Sequence, residues 1–397
     1  MKIKVAIYSG SVPSTVFIEN LIQALSFYKI QIYIFGDELE PYTNFKKNVK
    51  LFTRSNNSFG KIYFFFKHLI ILLLCKPNKF YKIIKYYIKN SRQINLNLIL
   101  WLNKVMPVVN NLPDIFHIQW AKSLSFWIFL KEIFNIKIVL SLRGAHINYS
   151  PLNDKDLAKK YKNLFPKVDY FHAVSNSIFK EAMNYSDIKE KTKVIYTAFN
   201  EINNIQNKNH EITGSYNFIS VGRHHWKKGY QYSISAIGLL LNMGYNINYT
   251  IIASGEPSEE ILYQIKDLRI SDNVKLISVI KQEFVYKKII QSDCLILPSV
   301  EEGIANVVIE SMGLGTPVIS SDCGGMKEVI KNGKNGLLFK SRNLKDLSNC
   351  MEYIINLNDK DRNLMIKNAK KTIINRFSVD RLGFDMYELY HKILNDV

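Results

Sequence analysis

Short, strongly apolar runs alternate with amphipathic stretches along the whole chain. In the first half, runs that read as strands lie at 4–8 (KVAIY), 31–35 (QIYIF), 114–118 (DIFHI), 137–142 (KIVLSL) and 170–174 (YFHAV). A second series follows at 217–221 (NFISV), 248–252 (NYTII), 274–278 (VKLIS), 294–298 (CLILP) and 317–321 (PVISS). Each run ends in a glycine or polar loop and leads into a helical stretch, the pattern of βαβ units around a parallel sheet. Between the two series, 200–210 (NEINNIQNKNH) is rich in asparagine and weak in apolar period, and reads as a linker. At 397 residues the chain is long for one core and comfortable for two.

The most apolar stretch, Ile62 to Cys75, carries Lys67 and His68 and falls short of the roughly 20 residues that a spanning helix needs. No bilayer crossing is expected, and MKIKVAIYSG reads as a buried first strand rather than a signal peptide. Cys75, Cys294, Cys323 and Cys350 form no C-x-x-C pair, which favours a reducing, cytoplasmic setting. Charge changes the picture more. Of the net +19, residues 1–200 hold 29 basic against 12 acidic side chains, and residues 201–397 hold 24 against 22. Between Glu40 and Asp114 stand thirteen basic residues and no acidic one, so the first half is expected to meet an anionic surface or substrate. After Pro77, Lys79, Lys82 and Lys89 recur on one helical face and Phe80, Ile83, Ile84 and Tyr87 on the other. Two readings stand: a basic helix docking on an anionic inner leaflet, or a core-packing helix with a solvated basic face.

The second half concentrates the chemistry. CLILP is followed by the loop SVEEGIA and by NVVIESMGLG, a helix stopped at Gly313–Gly315 with Asn306 as its N-cap. Glu302 in the loop and Glu310 past the first turn are placed to hold two parts of an extended ligand. The helix start offers free N–H groups to a phosphate. The other reading is a capped helix with solvated glutamates. In NFISV-GRHHWKKGYQYSISAIGLLL, Arg223 follows the strand and Lys228 precedes the next helix. A guanidinium fork and a point charge so placed would clamp a diphosphate.

The run PSVEEGIANVVIESMGLGTPVISSDCGG, with its two glutamates separated by seven residues, resembles the signature of the family 4 retaining glycosyltransferases of the GT-B fold. VGRHHWKKG resembles their phosphate-clamp loop and NGKNGLLF their later turn and strand. The resemblance implies an α/β fold of two facing Rossmann-like domains, with parallel sheets and a cleft between them. The expected limits are 1–205 for an acceptor-binding domain, 206–377 for a nucleotide-sugar-binding domain, and 378–397 for a helix crossing back to the first. It implies that Arg223 and Lys228 hold the donor diphosphate, that Glu310 holds the ribose hydroxyls, and that Glu302 with Gly303, Ile304, Ala305 and Asn306 lies against the donor sugar. Gly10 and Ser14 would come near the cleft through the first strand, glycine loop and helix, and Ile280 would mark the base-binding edge. Departures are visible: Ala253 and Ser278 replace glycines found in many members. His117 keeps the first position of a His-x-His pair whose second is Gln119, so it is either catalytic or a core histidine. LSLRGAH resembles a variant from builders of surface polysaccharides, which brings Arg143 and His146 toward donor or acceptor.

The implied reaction is transfer with retention from a nucleotide-diphosphate sugar to a glycan or lipid-linked acceptor. The cations and the helix start stabilise the leaving anion, so neither metal nor cofactor is expected. The pair His224-His225 reads as packing beside the clamp rather than metal binding. The strings Asp154-Lys155-Asp156 and Asp359-Lys360-Asp361 read as acids at helix starts. Two other classes are weaker fits. A nucleotide-sugar epimerase would share the fold and need no acceptor. A nucleic-acid binder would fit the basic pI of 9.5, yet no nucleic-acid motif is present, so no nucleic-acid partner is expected.

Overall fold

The computed structural model describes residues 2–40, 46–55, 57–91, 96–200, 214–278 and 281–395. The linker expected at 200–210 lies almost wholly outside them. The chain forms two compact units. One holds the described residues up to Val174, Ile178–Ile195 and the end of the chain from Leu382. The other holds Ser175–Ser177 and Tyr196–Arg381.

The first unit is built on a seven-stranded sheet. Its strands are β1 (Ile3–Val12), β2 (Ile30–Glu38), β3 (Val49–Arg54), β4 (Ile115–Ile118), β5 (Lys137–Leu142), β6 (Tyr170–Ala173) and β7 (Thr192–Val194). All pair in parallel, in the order β3-β2-β1-β4-β5-β6-β7. The central strands are buried on both faces, which is why their sequences are nearly continuous apolar runs. The second unit has β8 (Tyr216–Arg223), β9 (Ile247–Ser254), β10 (Val274–Ile277), β11 (Cys294–Leu297), β12 (Val318–Ser321) and β13 (Leu337–Phe339). They too are all parallel, in the order β10-β9-β8-β11-β12-β13. Each sheet therefore reverses its winding once, between β1 and β4 and between β8 and β11. Open parallel sheets bind ligands at that switch, outside the strands' carboxyl ends.

All ten expected strands are present. β3 and β7 were not read from the sequence: both are edge strands with half-buried side chains, so their patterns lack a continuous apolar signal.

One element is longer than its apolar run. The apolar run at 62–75 is part of a longer helix, Ser58–Cys75, whose first turn is Ser58, Phe59, Gly60 and Lys61, with Asn57 accepting from the Gly60 N–H at its start. At 18 residues, this helix is long and apolar enough to cross a membrane by length and composition alone. It packs along the first unit through His68 and Leu72, and it is followed by the helices Pro77–Ser91 and Leu96–Asn110. In Pro77–Ser91, Ile83 is buried, Phe80, Ile84 and Tyr87 are half-buried, and Lys82 and Lys89 are exposed, while Lys79 is half-buried.

Candidate active site

Three loops of the second unit meet at the β8/β11 switch. β8 ends at Arg223, and the loop after it makes a 3-10 turn at Trp226–Lys228 before the helix Tyr230–Asn242. The Val300 N–H donates to the Lys227 carbonyl (2.7 Å), tying this loop to the one after β11. Gly229 makes the join possible: its φ is +65°, and a Cβ there would run into the Pro298 carbonyl. The third loop follows β12. Gly324 (φ +51°) lies so close to the Glu302 backbone that a side chain would collide with its carbonyl, and the Gly325 N–H donates to the Gly303 carbonyl (2.7 Å). The string DCGG thus fixes the backbone of the Glu302–Gly303 loop.

Within this frame Glu302 is buried, 8% exposed. Its Oε1 accepts from Lys228 Nζ (2.6 Å) and from Ser299 Oγ (3.1 Å), and Lys227 Nζ stands 3.8 Å from its Oε2. Burial alone would push the Glu302 carboxyl up. The two lysines and its hydrogen bonds outweigh burial and hold it below its ordinary value. Lys228 and Glu302, expected to touch different parts of a ligand, are bonded to each other. Lys227 was not singled out from the sequence, although the doubled lysine of HHWKKG was its signal. It is 7% exposed, and burial lowers its pKa against the opposing pull of Glu302. Arg223 is exposed at the end of β8, with no ion pair among the described residues. His224 lies edge-on to Tyr230, and His225 Nδ1 accepts from the Lys227 N–H, so both pack at the clamp loop as expected.

The helix Asn306–Leu314 starts beside Glu302. Asn306 is corrected from N-cap to first helical residue. The cap is Ala305, which has no side chain to bond the first-turn amides, and Asn306 Oδ1 accepts from Thr197 Oγ1 (3.0 Å). The helix start therefore keeps amide donors free of side-chain capping. Ile304 is half-buried on the approach to it, while Gly303 and Ala305 are buried. Glu310 sits one turn further along and faces the helix Gln282–Gln291, where Tyr286 Oη (3.4 Å) and Gln282 Nε2 (3.5 Å) make long bonds to its Oε1. Burial pushes its pKa up to about 7, the Tyr286 bond opposing. The structure thus brings Lys228, Glu302, Gly303 and the Asn306 helix together, with Arg223 and Glu310 on the same sheet edge. Ile280 lies outside the described residues. Ala253 is buried in β9, paired with Gly222 of β8, and Ser278 is exposed just past β10.

The first unit places its expected residues less as foreseen. Gly10 lies within β1, at a register shift against β2 with φ +91°, rather than in a loop after the strand. The Ser14 N–H donates to Glu19 Oε1 (2.6 Å) ahead of the helix Val16–Leu25.

His117, read from the sequence as catalytic or core, lies in the core. It is fully buried, and both ring nitrogens are taken, Nδ1 by Tyr390 Oη (2.7 Å) and Nε2 by Ser141 Oγ (2.8 Å). The protons can be followed along this chain. His172 Nε2 can only donate to the Ile195 carbonyl, so its Nδ1 accepts from Ser141, which accepts from His117 Nε2–H, whose Nδ1 accepts from Tyr390. Burial holds His117 well below its usual pKa and His172 at about 3, so both rings are neutral.

At the outer end of the same network, Arg143 NH2 donates to Gln119 Oε1 (2.9 Å) and its guanidinium stacks 4.5 Å over Phe17. Arg143 is 8% exposed, burial lowers it to about 9, and its Nε and Gln119 Nε2 have no partner among the described residues. His146 lies against Trp120, with burial holding it at about 4. A separate pocket at the ends of β1–β3 is walled by Tyr8, Phe35, Phe52 and Phe64 and includes the Asp37–Arg54 ion pair.

No cluster of three or more histidine, cysteine or acidic side chains that could hold a metal occurs among the described residues. Both D-x-D strings sit at helix starts: Asp154 caps by accepting from the Leu157 N–H (2.9 Å), and Asp359 and Asp361 lie in a first turn.

Residues 201–372 match the family model for glycosyl transferases group 1. The chain is 26% identical over 282 residues to an uncharacterized glycosyltransferase of Methanocaldococcus jannaschii, covering 66% of this chain and 70% of that one. It is 25% identical over 239 residues to the capsular polysaccharide biosynthesis glycosyltransferase CapM of Staphylococcus aureus, covering 56% of this chain and 62% of that one. The Anabaena protein HepE, solved in complex with UDP and glucose, matches 98% of this chain and 100% of its own at a TM-score of 0.68 and 16% identity. The two-sheet architecture is the GT-B fold, and the protein is a glycosyltransferase.

Proposed function

We propose that the chain transfers a sugar, with retention of anomeric configuration, from a nucleotide-diphosphate donor to a glycan or lipid-linked acceptor. The setting is surface-polysaccharide synthesis at the inner face of the cytoplasmic membrane. The observation that carries this reading is the convergence at the β8/β11 switch of Lys227, Lys228 and Glu302 with an uncapped helix start, Arg223 and Glu310 lying on the same edge. In this reading the diphosphate enters between Arg223 and the start of the Asn306 helix and draws Lys228 partly away from Glu302. Glu302 then faces the sugar, and the Glu310 carboxylate accepts from the ribose hydroxyls.

As the bond from the anomeric carbon to the diphosphate oxygen breaks, negative charge grows on the leaving group, where the cations and amides are already in place. The acceptor oxygen bonds to the same face of the anomeric carbon, and its proton passes to the departing phosphate oxygen. No metal or cofactor enters this scheme. The relatives' names support the polysaccharide setting, and HepE's complex with UDP supports a nucleotide donor. Support for acceptor binding comes from the aromatic pocket at β1–β3, since flat rings stack on sugar faces, and from the unmet donors of Arg143 and Gln119.

The test is the product's configuration. With a hydrolysable nucleotide-sugar donor, NMR of the first-formed product is expected to show the donor's own anomer, at a rate unchanged by a chelator. The opposite anomer as first product would overturn the mechanism.

A further inference from the structure

The helix Ser58–Cys75 turns its apolar side outward. Phe59, Ile62, Tyr63, Phe66, Ile70 and Leu74 recur at three- and four-residue steps on one face, and all are exposed, from 53% at Phe66 and Ile70 to 83% at Phe59. Only 11% of the helix is buried, so it is not a core helix. A stripe this long and unbroken marks an interaction surface rather than scattered exposed residues. Charge narrows the occupant. The segment from Glu40 to Asp114 contains no acid between those two residues, and the adjacent helix Pro77–Ser91 exposes Lys82, Lys85 and Lys89. A second copy meeting this face symmetrically would press two all-basic surfaces together. A bilayer with anionic headgroups takes both parts at once, rings and aliphatics in the acyl boundary and ammoniums at the phosphates.

We propose that the Ser58–Cys75 helix is a monotopic membrane anchor. It lies in the plane of an anionic bilayer with its apolar face inserted, and the lysines of the following helix grip the headgroups. The choice of lipid as occupant accords with the lipid-linked acceptor of the proposed function and deepens that reading. The docking itself requires no donor.

The experiment partitions the full chain onto vesicles of phosphatidylcholine, alone and mixed with phosphatidylglycerol. Strong binding to the mixed vesicles, weakened by salt, is expected. Replacing Phe66 and Ile70 together by glutamate should reduce it by at least about tenfold, since two apolar side chains leave the bilayer and charge replaces them. Converting Lys82, Lys85 and Lys89 to glutamine should cost about fivefold per lysine on anionic vesicles only. Far-UV circular dichroism and melting confirm that the surface variants fold. As an independent readout, Phe66→Trp should add emission that is quenched by brominated acyl chains, relative to the parent protein. Full binding by the glutamate variant, no quenching of the new tryptophan, or a lipid-free dimer abolished by the glutamate variant would each overturn the anchor. A nucleotide-sugar melting assay separates the two readings: vesicle binding without donor binding sinks only the enzyme scheme, and donor binding without vesicle binding sinks only the anchor.

Discussion

Glu302→Gln is the perturbation that most cleanly separates what holds the empty site together from what it binds. In the free protein the Glu302 carboxylate neutralises Lys228 at 2.6 Å and faces Lys227 at 3.8 Å, all three with side chains no more than 12% exposed. Gln keeps the shape and removes the charge, leaving two buried ammoniums facing each other. Breaking a buried pair from one side costs roughly 3–5 kcal/mol. Because Lys227 sits at the longer distance and Ser299 keeps a partner, about 3 kcal/mol is expected, or a drop of roughly 6–12 °C in melting temperature for a unit of this size. The unpaired lysines should then welcome an anion. Inorganic pyrophosphate should bind the variant about tenfold more tightly than the parent, an extra gain near 1.4 kcal/mol, while turnover falls because Glu302 no longer faces the sugar. Differential scanning calorimetry with and without pyrophosphate reads both effects. An unshifted melt would show that the pair contributes nothing to the fold. An ordinary drop with no extra pyrophosphate protection would show that Lys228 does not face the diphosphate, and the clamp would fall.

Glu310 predicts a pH dependence. Burial raises its carboxyl pKa to about 7, and the ionised form is the stronger acceptor for ribose hydroxyls, so donor affinity should rise through pH 7 and level off above it. The same raised value means that the folded chain holds this proton to higher pH than the unfolded chain does. Stability should therefore fall as pH rises from about 4.5 through 7, and Glu310→Gln should flatten both profiles by calorimetric titration and melting. Gly229→Ala should lower the melting temperature sharply and abolish donor protection, because the new Cβ meets the Pro298 carbonyl. Gly244→Ala, at φ +90° with open space around it, should cost only about 1 kcal/mol. His117→Ala should cost about 3 kcal/mol by urea unfolding, leaving a cavity and unpaired Tyr390 and Ser141 hydroxyls, yet keep kcat/KM of the folded fraction within a few fold. A thousandfold loss of kcat/KM in a folded His117→Ala protein would restore its catalytic role.

The sheets were legible because parallel strands buried on both faces must be nearly all apolar, as in CLIL and KIVLSL. β3 and β7, at an edge with one side half wet, carry no such run. In the site, Arg223, Lys228, Glu302 and Glu310 stood out because they follow strands or open helices. What a linear reading could not supply was their partners. That Lys228 bonds Glu302, 74 positions away, depends on Gly229 and Gly324 letting three loops approach, and the consequence of a glycine is invisible until its neighbour is known. The two readings of His117 stayed open for the same reason: its partner Tyr390 stands 273 positions later. The orientation of Ser58–Cys75 was also hidden, since a long apolar helix reads alike whether its stripe faces core or solvent.

The central claim is that a nucleotide-diphosphate sugar is gripped where β8 and β11 part, with Arg223 as one jaw. The most direct measurement is a melting panel of UDP-, GDP- and ADP-sugars on the parent chain and on Arg223→Ala, each at about a hundred times the dissociation constant. One donor is expected to stabilise the parent by about 2.7 kcal/mol, roughly 5–10 °C, and to leave the variant unprotected at the same concentration. A parent indifferent to every nucleotide sugar, or a variant protected as well as the parent, would contradict the account.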